Sequence, residues 1–122
     1  MNDFGVSKKR ILVVEDEYML AMEMSSELSD AGAVVIGPTS TIEQAIALIQ
    51  SDSAIDGAIL DVNLGGELVY PVARLLAQRG TPFVFVTGYE TSALPQQFAA
   101  APCVMKPVNI EEAIRAIKLG DR

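Results

Sequence analysis

Five short apolar runs, separated by longer amphipathic segments, constrain the fold of this chain more than any other feature of its sequence. The runs are rich in β-branched residues and do not alternate with polar ones, which is typical of strands buried on both faces of a parallel sheet. They cover residues 11–14, 34–36, 58–60, 83–86 and 103–105. Half of the 122 residues are hydrophobic, which is enough apolar material for one continuous core.

The segments between the apolar runs carry helical signatures. Thr41 and Asn109 stand at N-cap positions, each followed three residues later by a Gln or Glu that completes a capping box. The predicted helices cover residues 17–31, 41–49, 68–78, 94–100 and 109–117. The range 94–100 has the weakest apolar pattern of the five. Alternating strands and helices predict a doubly wound α/β domain, with a five-stranded parallel sheet flanked by five helices.

The net charge and the length of the apolar stretches indicate which partners and which cellular location to expect. The net charge is −7 and the only basic run is residues 8–10, so no nucleic acid partner is expected. There is no apolar stretch of about 18 residues, which excludes a membrane-spanning helix. Residues 1–9 are a short polar lead without the apolar segment of a signal peptide, and we expect a cytoplasmic protein.

The chain contains no histidine. Its absence removes Ser-His-Asp and Cys-His catalysis and the histidine-containing zinc sites. It also means that the chain cannot itself donate a phosphoryl group from phosphohistidine. The single cysteine, Cys103, has no partner for an internal disulfide, and we predict that it is a small buried apolar residue.

Polar residues follow four of the five apolar runs directly. In doubly wound sheets the carboxyl ends of the strands open onto one crevice. Three carboxylates, a hydroxyl and an ammonium are therefore predicted to meet there. The residues at these strand ends are Glu15, Asp16, Asp61, Thr87, Gly88, Lys106 and Pro107.

A cluster of three carboxylates is stable when it binds a cation, and hard oxygen ligands without His or Cys suit Mg²⁺. A Mg²⁺ ion, Lys106 and the Thr87 hydroxyl would together stabilise the oxygens of a phosphoryl group in transfer. One carboxylate would then be the nucleophile that forms an aspartyl phosphate. Taken singly, Asp61 is more simply a turn residue and Lys106 a surface charge. The occurrence of such residues at four strand ends together favours a phosphoryl-transfer site.

The motifs at these strand ends resemble those of bacterial response-regulator receiver domains. The similar segments are residues 11–17, 58–64, 85–89 and 104–108, within a resemblance that spans about residues 10–119. The resemblance implies a flavodoxin-like fold with strand order 2-1-3-4-5. It also implies a division into the lead of residues 1–9 and a receiver domain over residues 10–122.

The same resemblance implies a role for each acidic residue. Asp61 is the phosphoacceptor, which takes its phosphoryl group from the phosphohistidine of a sensor histidine kinase. Asp16 and Asp61 bind Mg²⁺ directly, together with the backbone carbonyl of Asn63. Glu15 acts through a metal-bound water.

The remaining roles concern the phosphoryl oxygens. Thr87 and Lys106 each contact one of them, and the peptide bond before Pro107 is expected to be cis. Asn63 and Tyr89, two residues beyond Asp61 and Thr87, are expected to tune how fast water removes the phosphoryl group.

The sequence departs from the receiver pattern at Cys103. Most receivers have Tyr or Phe at this position, three residues before the lysine, and the ring rotates inward on activation. Residues 85–89 resemble a subfamily with a Phe-Ala-Thr-Gly-Tyr-like motif, common in alphaproteobacteria, that also lacks this ring. We hypothesise that Tyr89, or ordering of residues 88–102 beginning at Gly88, replaces the aromatic switch. The alternative is that Tyr89 only covers the site.

The resulting prediction is a stand-alone signalling module rather than an enzyme, with self-phosphorylation and self-dephosphorylation as its only chemistry. Its output is binding to a downstream protein, or exchange with a phosphotransfer protein as a shuttle or sink in a phosphorelay. The predicted output face comprises the fourth helix, fifth strand and fifth helix. We expect a monomer or weak dimer with no attached output domain.

Two other functions are compatible with parts of the pattern. A small phosphatase with an Asp nucleophile would need a second Asp two residues later as acid and base, where this chain has Asn63. A pseudo-receiver that binds partners without phosphorylation would not need the full set of polar residues at the strand ends.

Overall fold

Strands and helices alternate along the chain, as the apolar runs predict. The structure is a computed structural model and describes residues 5–52, 54–88 and 94–117. The strands are β1 (Arg10–Val14), β2 (Val34–Thr39), β3 (Gly57–Asp61), β4 (Asn63–Leu64), β5 (Glu67–Leu68), β6 (Phe83–Thr87) and β7 (Cys103–Met105). The helices are α1 (Tyr18–Asp30), α2 (Ile42–Ser51), α3 (Tyr70–Gln78) and α4 (Ile110–Ile117), with a 3-10 turn at Gln96–Phe98.

The main sheet has five parallel strands in the order β2-β1-β3-β6-β7. This is the predicted order 2-1-3-4-5, so the predicted fold class is confirmed. The register places Val14 of β1 opposite Leu60 of β3, and Leu60 opposite Phe85 of β6. The strands β1, β3 and β6 therefore end side by side at one edge of the sheet.

The prediction of five helices is wrong for residues 94–100. Among the described residues there are four α-helices, and the predicted helix is reduced to the 3-10 turn, with Pro95 preceding it and Pro102 after it. Proline cannot donate a backbone hydrogen bond, and so short a segment cannot offset the cost of helix nucleation. Phe98, which is 6% exposed, anchors this turn in the core.

A small antiparallel hairpin follows the main sheet's third strand and was not predicted. It consists of β4 and β5, with Asn63 opposite Leu68. Because Leu68 belongs to the hairpin, the third helix begins at Tyr70 rather than at the predicted residue 68.

Both predicted helix caps are present. The Thr41 hydroxyl accepts a hydrogen bond from the backbone N–H of Gln44 at 3.1 Å. The Gln44 side chain accepts in return from the backbone N–H of Ser40 at 3.2 Å, one residue earlier than a standard capping box. Asn109 accepts from the backbone N–H of Glu112 at 2.9 Å. These bonds satisfy N–H groups that have no partner within the helix.

The core consists of two apolar clusters, one on each face of the sheet. Side chains of β1 alternate between them, with Val13 in the cluster that includes α1 and α4, and Leu12 in the cluster that includes α2 and α3. Val6, which precedes β1, is fully buried in the first cluster. Burial on both faces explains why the strand sequences lack alternating polar residues.

Substituting Gly37 in the edge strand β2 is expected to destabilise the fold. Gly37 has a φ of +91°, and a Cβ there would lie 2.9 Å from the backbone nitrogen of Thr39. We expect Gly37→Ala to lower the free energy of unfolding by about 2–3 kcal/mol, because backbone strain and a steric clash combine. Urea denaturation measures this loss.

Gly80 supplies the matched control. Its φ is +71°, but apart from its chain neighbours no atom of the described residues lies within 4 Å of its ideal Cβ, so Gly80→Ala is expected to cost only about 1 kcal/mol. Equal losses for the two variants would show that the contact with Thr39 does not contribute.

Candidate functional site

Three acidic side chains meet at the carboxyl edge of the sheet, as predicted. Glu15 and Asp16 follow β1, and Asp61 ends the adjacent strand β3. One carboxylate oxygen from each of the three lies within 4.8 Å of the others. Glu15 and Asp61 are 1% and 4% exposed, whereas Asp16 is exposed. The cluster therefore has a buried floor and one carboxylate that faces solvent.

The ammonium of Lys106 joins this cluster from the end of β7. Its Nζ lies 3.1 Å from Asp61 Oδ2 and 3.7 Å from Glu15 Oε1. Its shortest contact, 2.8 Å, is with Glu17 Oε1. Burial lowers the pKa of Lys106, but the hydrogen bonds with Glu17 and Asp61 outweigh it, so the pKa is raised and the ammonium stays charged.

Glu15 is the most buried acidic residue of the site. Its Oε2 accepts a hydrogen bond from the backbone N–H of Glu17 at 3.0 Å, while the buried Oε1 has no hydrogen-bond partner among the described residues. Burial raises the pKa of Glu15 to about 8, the neighbouring Asp61 adds to the rise, and Lys106 opposes it. The Lys106 ammonium, 3.7 Å from Glu15 Oε1, makes an ion pair with it but no hydrogen bond, and a buried carboxyl without full hydrogen bonding is costly.

This acidic cluster could hold Mg²⁺. It offers three carboxylates, one of them with an unsatisfied buried oxygen, and the chain has no histidine to provide a softer site. Hard oxygen ligands of this kind suit Mg²⁺, which binds through one or two carboxylates and keeps its other positions for water and phosphate.

The segment after Asp61 is shaped by Asn63. Asp61 Oδ1 accepts a hydrogen bond from the backbone N–H of Asn63 at 3.1 Å. The Asn63 side chain accepts from the backbone N–H of Gly66 at 2.7 Å, which closes the turn between β4 and β5. A Cβ at Gly65 would lie 3.5 Å from Asp16 Oδ2, so the turn lies against the acidic cluster. The sequence did not reveal this structural role of Asn63.

Thr87, Gly88 and Lys106 border a cleft with a volume of about 710 Å³ beside the acidic cluster. Thr87 ends β6 and is 9% exposed, and its carbonyl accepts a hydrogen bond from the backbone N–H of Lys106 at 2.9 Å. Gly88 follows, with its ideal Cβ position 3.9 Å from the Lys106 side chain. The Lys106–Pro107 peptide is cis, as expected. Tyr89 lies outside the described residues, as do the other residues of the range 89–93.

Cys103 is half-buried, which corrects the prediction of a buried residue. It lies on β7, the last strand of the main sheet in the described part of the chain. The residue still packs against the apolar cluster that contains α2 and α3, and burial raises the pKa of its thiol.

Tyr70, at the start of α3, belongs to the same aromatic cluster as Phe85, which pairs with Cys103 across the sheet. Its ring centroid is 5.9 Å from that of Phe85 and 5.6 Å from that of Phe98. Burial raises the pKa of Tyr70, and the nearby Cys103 contributes. Tyr70 also lines the cleft. Sequence patterning missed Tyr70 because it predicted residue 70 inside a longer helix and could not give the direction of its side chain.

The response regulator receiver domain family matches residues 11–118 of the chain. The chain therefore belongs to this family, and it is a receiver domain of a two-component system. No helix in the described ranges is long and apolar enough to cross a membrane.

Individual relatives agree with this assignment. The solution structure of SdrG from Sphingomonas melonis Fr1 is 35% identical, with a TM-score of 0.79 and full coverage of both chains. The solution structure of the BeF₃-activated conformation of SdrG from Pseudomonas melonis Fr1 is also 35% identical, with a TM-score of 0.75 and coverage of 93% of this chain and 96% of that one. The transcriptional regulatory protein PdtaR of Mycobacterium tuberculosis is 24% identical over 116 residues, or 92% of this chain and 56% of PdtaR. The chain thus spans about half the length of this curated relative.

Proposed function

We propose that Asp61 accepts a phosphoryl group from the phosphohistidine of a sensor histidine kinase. The observation that carries this proposal is the convergence of Asp61, two further carboxylates and Lys106 at one edge of the sheet, where Asp61 and Lys106 line a cleft. Hydrogen bonds from the Asn63 backbone and Lys106 reach the two oxygens of Asp61 separately and orient its carboxylate, which supports a role as nucleophile. An acyl phosphate is a known covalent product of such a carboxylate.

The proposed transfer forms a bond between phosphorus and an Asp61 carboxylate oxygen as the bond between phosphorus and the kinase imidazole nitrogen breaks. The imidazole keeps the electron pair and takes up a proton. Lys106 and the Thr87 hydroxyl would bind phosphoryl oxygens, since both border the cleft beside Asp61.

We expect Asp16, Asp61 and the backbone carbonyl of Asn63 to hold Mg²⁺, with Glu15 acting through a water. The bound ion would neutralise charge on the phosphoryl oxygens. The protein's own residues orient the acceptor and hold the lysine beside it. No separate substrate is turned over in this proposal, so the chain is not an enzyme beyond its own phosphorylation and dephosphorylation.

Phosphorylation would act by shifting the balance between two conformations. The proposed output face comprises the 3-10 turn, β7 and α4, where Met105 is 56% exposed. A downstream protein or a phosphotransfer protein would bind there, in the cytoplasm, with the chain as a monomer or weak dimer.

The run of residues 85–89 and the thiol at Cys103 support membership of the Phe-Ala-Thr-Gly-Tyr-like subfamily.

Intact-protein mass spectrometry tests the proposal directly. Treatment with acetyl phosphate and Mg²⁺ is expected to add the mass of one phosphoryl group to the parent protein, and EDTA is expected to prevent it. Asp61→Asn should show no addition. Asp30→Asn, which removes the same charge from an exposed position at the end of α1, should behave as the parent does.

A small phosphodonor can fail where a kinase succeeds, so the measurement is repeated with a phosphorylated histidine kinase as donor. An equal mass addition on Asp61→Asn, or none on the parent with either donor, would contradict the assignment of Asp61.

A further inference from the structure

Glu17 makes the shortest contact of Lys106, although the proposed phosphotransfer assigns it no role. Its Oε1 lies 2.8 Å from Lys106 Nζ, compared with 3.1 Å for the proposed acceptor Asp61. We propose that Glu17 is a positioning residue that holds Lys106 in the unphosphorylated protein and competes with the phosphoryl oxygens for its ammonium. This inference rests on the proposed function and adds a determinant of phosphorylation rate to it.

The backbone of Glu17 is placed so that its side chain faces the site. Glu17 is the N-cap residue of α1, but its side chain makes no capping hydrogen bond to that helix. Its backbone N–H instead donates to Glu15 Oε2 at 3.0 Å, which ties the start of the helix to the acidic cluster. The Glu17 carboxylate is therefore not used for capping and lies in the cleft beside Asp61.

The Glu17 and Asp61 contacts of Lys106 differ in burial. The Glu17 side chain is 64% exposed, whereas that of Asp61 is 5% exposed. The ammonium thus lies between an inner carboxylate on the cleft floor and an outer one at its mouth. An arriving phosphoryl group carries about two negative charges at neutral pH. It needs the ammonium that Glu17 holds, and it must approach past the Glu17 carboxylate.

Removing this competition is expected to favour an anionic ligand. Because the ion pair is exposed, its energy is modest. We expect Glu17→Gln to raise the rate of phosphorylation by acetyl phosphate, and the affinity for beryllofluoride in the presence of Mg²⁺, by about two- to fivefold. Glu23→Gln removes the same charge from an exposed position on α1 and is expected to match the parent in both measurements.

A second variant separates the contact from the charge. Glu17→Asp keeps the negative charge but shortens the side chain by one methylene, which is expected to weaken its contact with Lys106. If the contact matters, Glu17→Asp should bind beryllofluoride more tightly than the parent, as Glu17→Gln does. If Glu17→Gln binds beryllofluoride more tightly than the parent and Glu17→Asp does not, the effect comes only from the negative charge at the mouth of the cleft. That outcome would overturn the positioning role.

The Lys106 ammonium itself supplies a readout that needs no phosphorylation. In ¹⁵N-lysine NMR of the Mg²⁺-free protein, Glu17→Gln is expected to shift the Lys106 Nζ signal and speed its proton exchange, with Glu23→Gln unchanged. An unchanged Lys106 signal in Glu17→Gln overturns the inference even if the parent is phosphorylated. A parent that accepts no phosphoryl group overturns the proposed function instead, whatever the signal shows.

Discussion

The free energy of unfolding of the Mg²⁺-free protein is expected to fall as the pH rises from about 4.5 to about 8, and Glu15→Gln should remove much of this fall. The pKa of Glu15 is raised from 4.5 in the unfolded chain to about 8 in the folded protein, first by burial. Across this window the folded state retains a proton that the unfolded state has lost. Stability therefore decreases with pH, by at most about 1.4 kcal/mol per pH unit for this one group.

Urea denaturation in EDTA at pH 5, 6.5 and 8 measures this effect. The difference between parent and Glu15→Gln isolates Glu15 from the other charged groups that face it, which are Asp61 and Lys106. Glu23→Gln is the matched control, because Glu23 is exposed on α1 and its removal should leave the pH dependence unchanged. If the free energies of unfolding of the parent and of Glu15→Gln fall equally with pH, ionising Glu15 does not destabilise the folded protein.

Mg²⁺ is expected to reverse part of this loss at pH 8. A bound cation favours the ionised form of the surrounding carboxyls, and a ligand that binds only the folded state stabilises it, by about 2.7 kcal/mol at 100 times its Kd. The gain should be smaller in Glu15→Gln, because glutamine cannot provide the negative charge. An equal gain in both proteins would exclude Glu15 from the metal site.

Phe85→Ala is expected to lower the free energy of unfolding by about 3–5 kcal/mol, because it leaves a cavity in the centre of the core. Phe85 is fully buried, and its ring lies 5.2 Å from that of Phe83, 5.5 Å from that of Phe98 and 5.9 Å from that of Tyr70. One truncation therefore removes three aromatic contacts together with the buried area.

Phe83 provides a comparison in the same strand. It is only partly buried and packs at the edge of the same cluster, so Phe83→Ala should cost clearly less than Phe85→Ala in the same urea denaturation experiment. Losses of equal size would show that Phe85 is not the centre of the aromatic cluster.

Local sequence patterns accounted for most of the fold. The five apolar runs became the five strands of the main sheet, and the caps at Thr41 and Asn109 begin helices α2 and α4. These features were predictable because burial on both faces of a strand, and capping of a helix, impose residue types on neighbouring positions. The pattern failed at residues 94–100, where weak periodicity between two prolines produced a 3-10 turn instead of a helix.

The composition of the site was also predictable in part. Parallel strands end at one edge of the sheet, so the residues after the strands could be placed together before any distance was known. The structure confirms that Glu15, Asp16, Asp61 and Lys106 converge. Their roles in phosphotransfer remain predictions, and Tyr89 lies outside the described residues.

The sequence by itself determined which elements form and which residues stand at the strand ends, because both follow from neighbours along the chain. Only the tertiary structure decided the contacts made there. Lys106 and Glu17 are 89 positions apart in the sequence, yet Lys106 Nζ lies 2.8 Å from Glu17 Oε1. Glu15 is buried although the next residue, Asp16, is exposed. Pairing across the fold and the desolvation of a single side chain depend on packing between distant segments, which local periodicity does not encode.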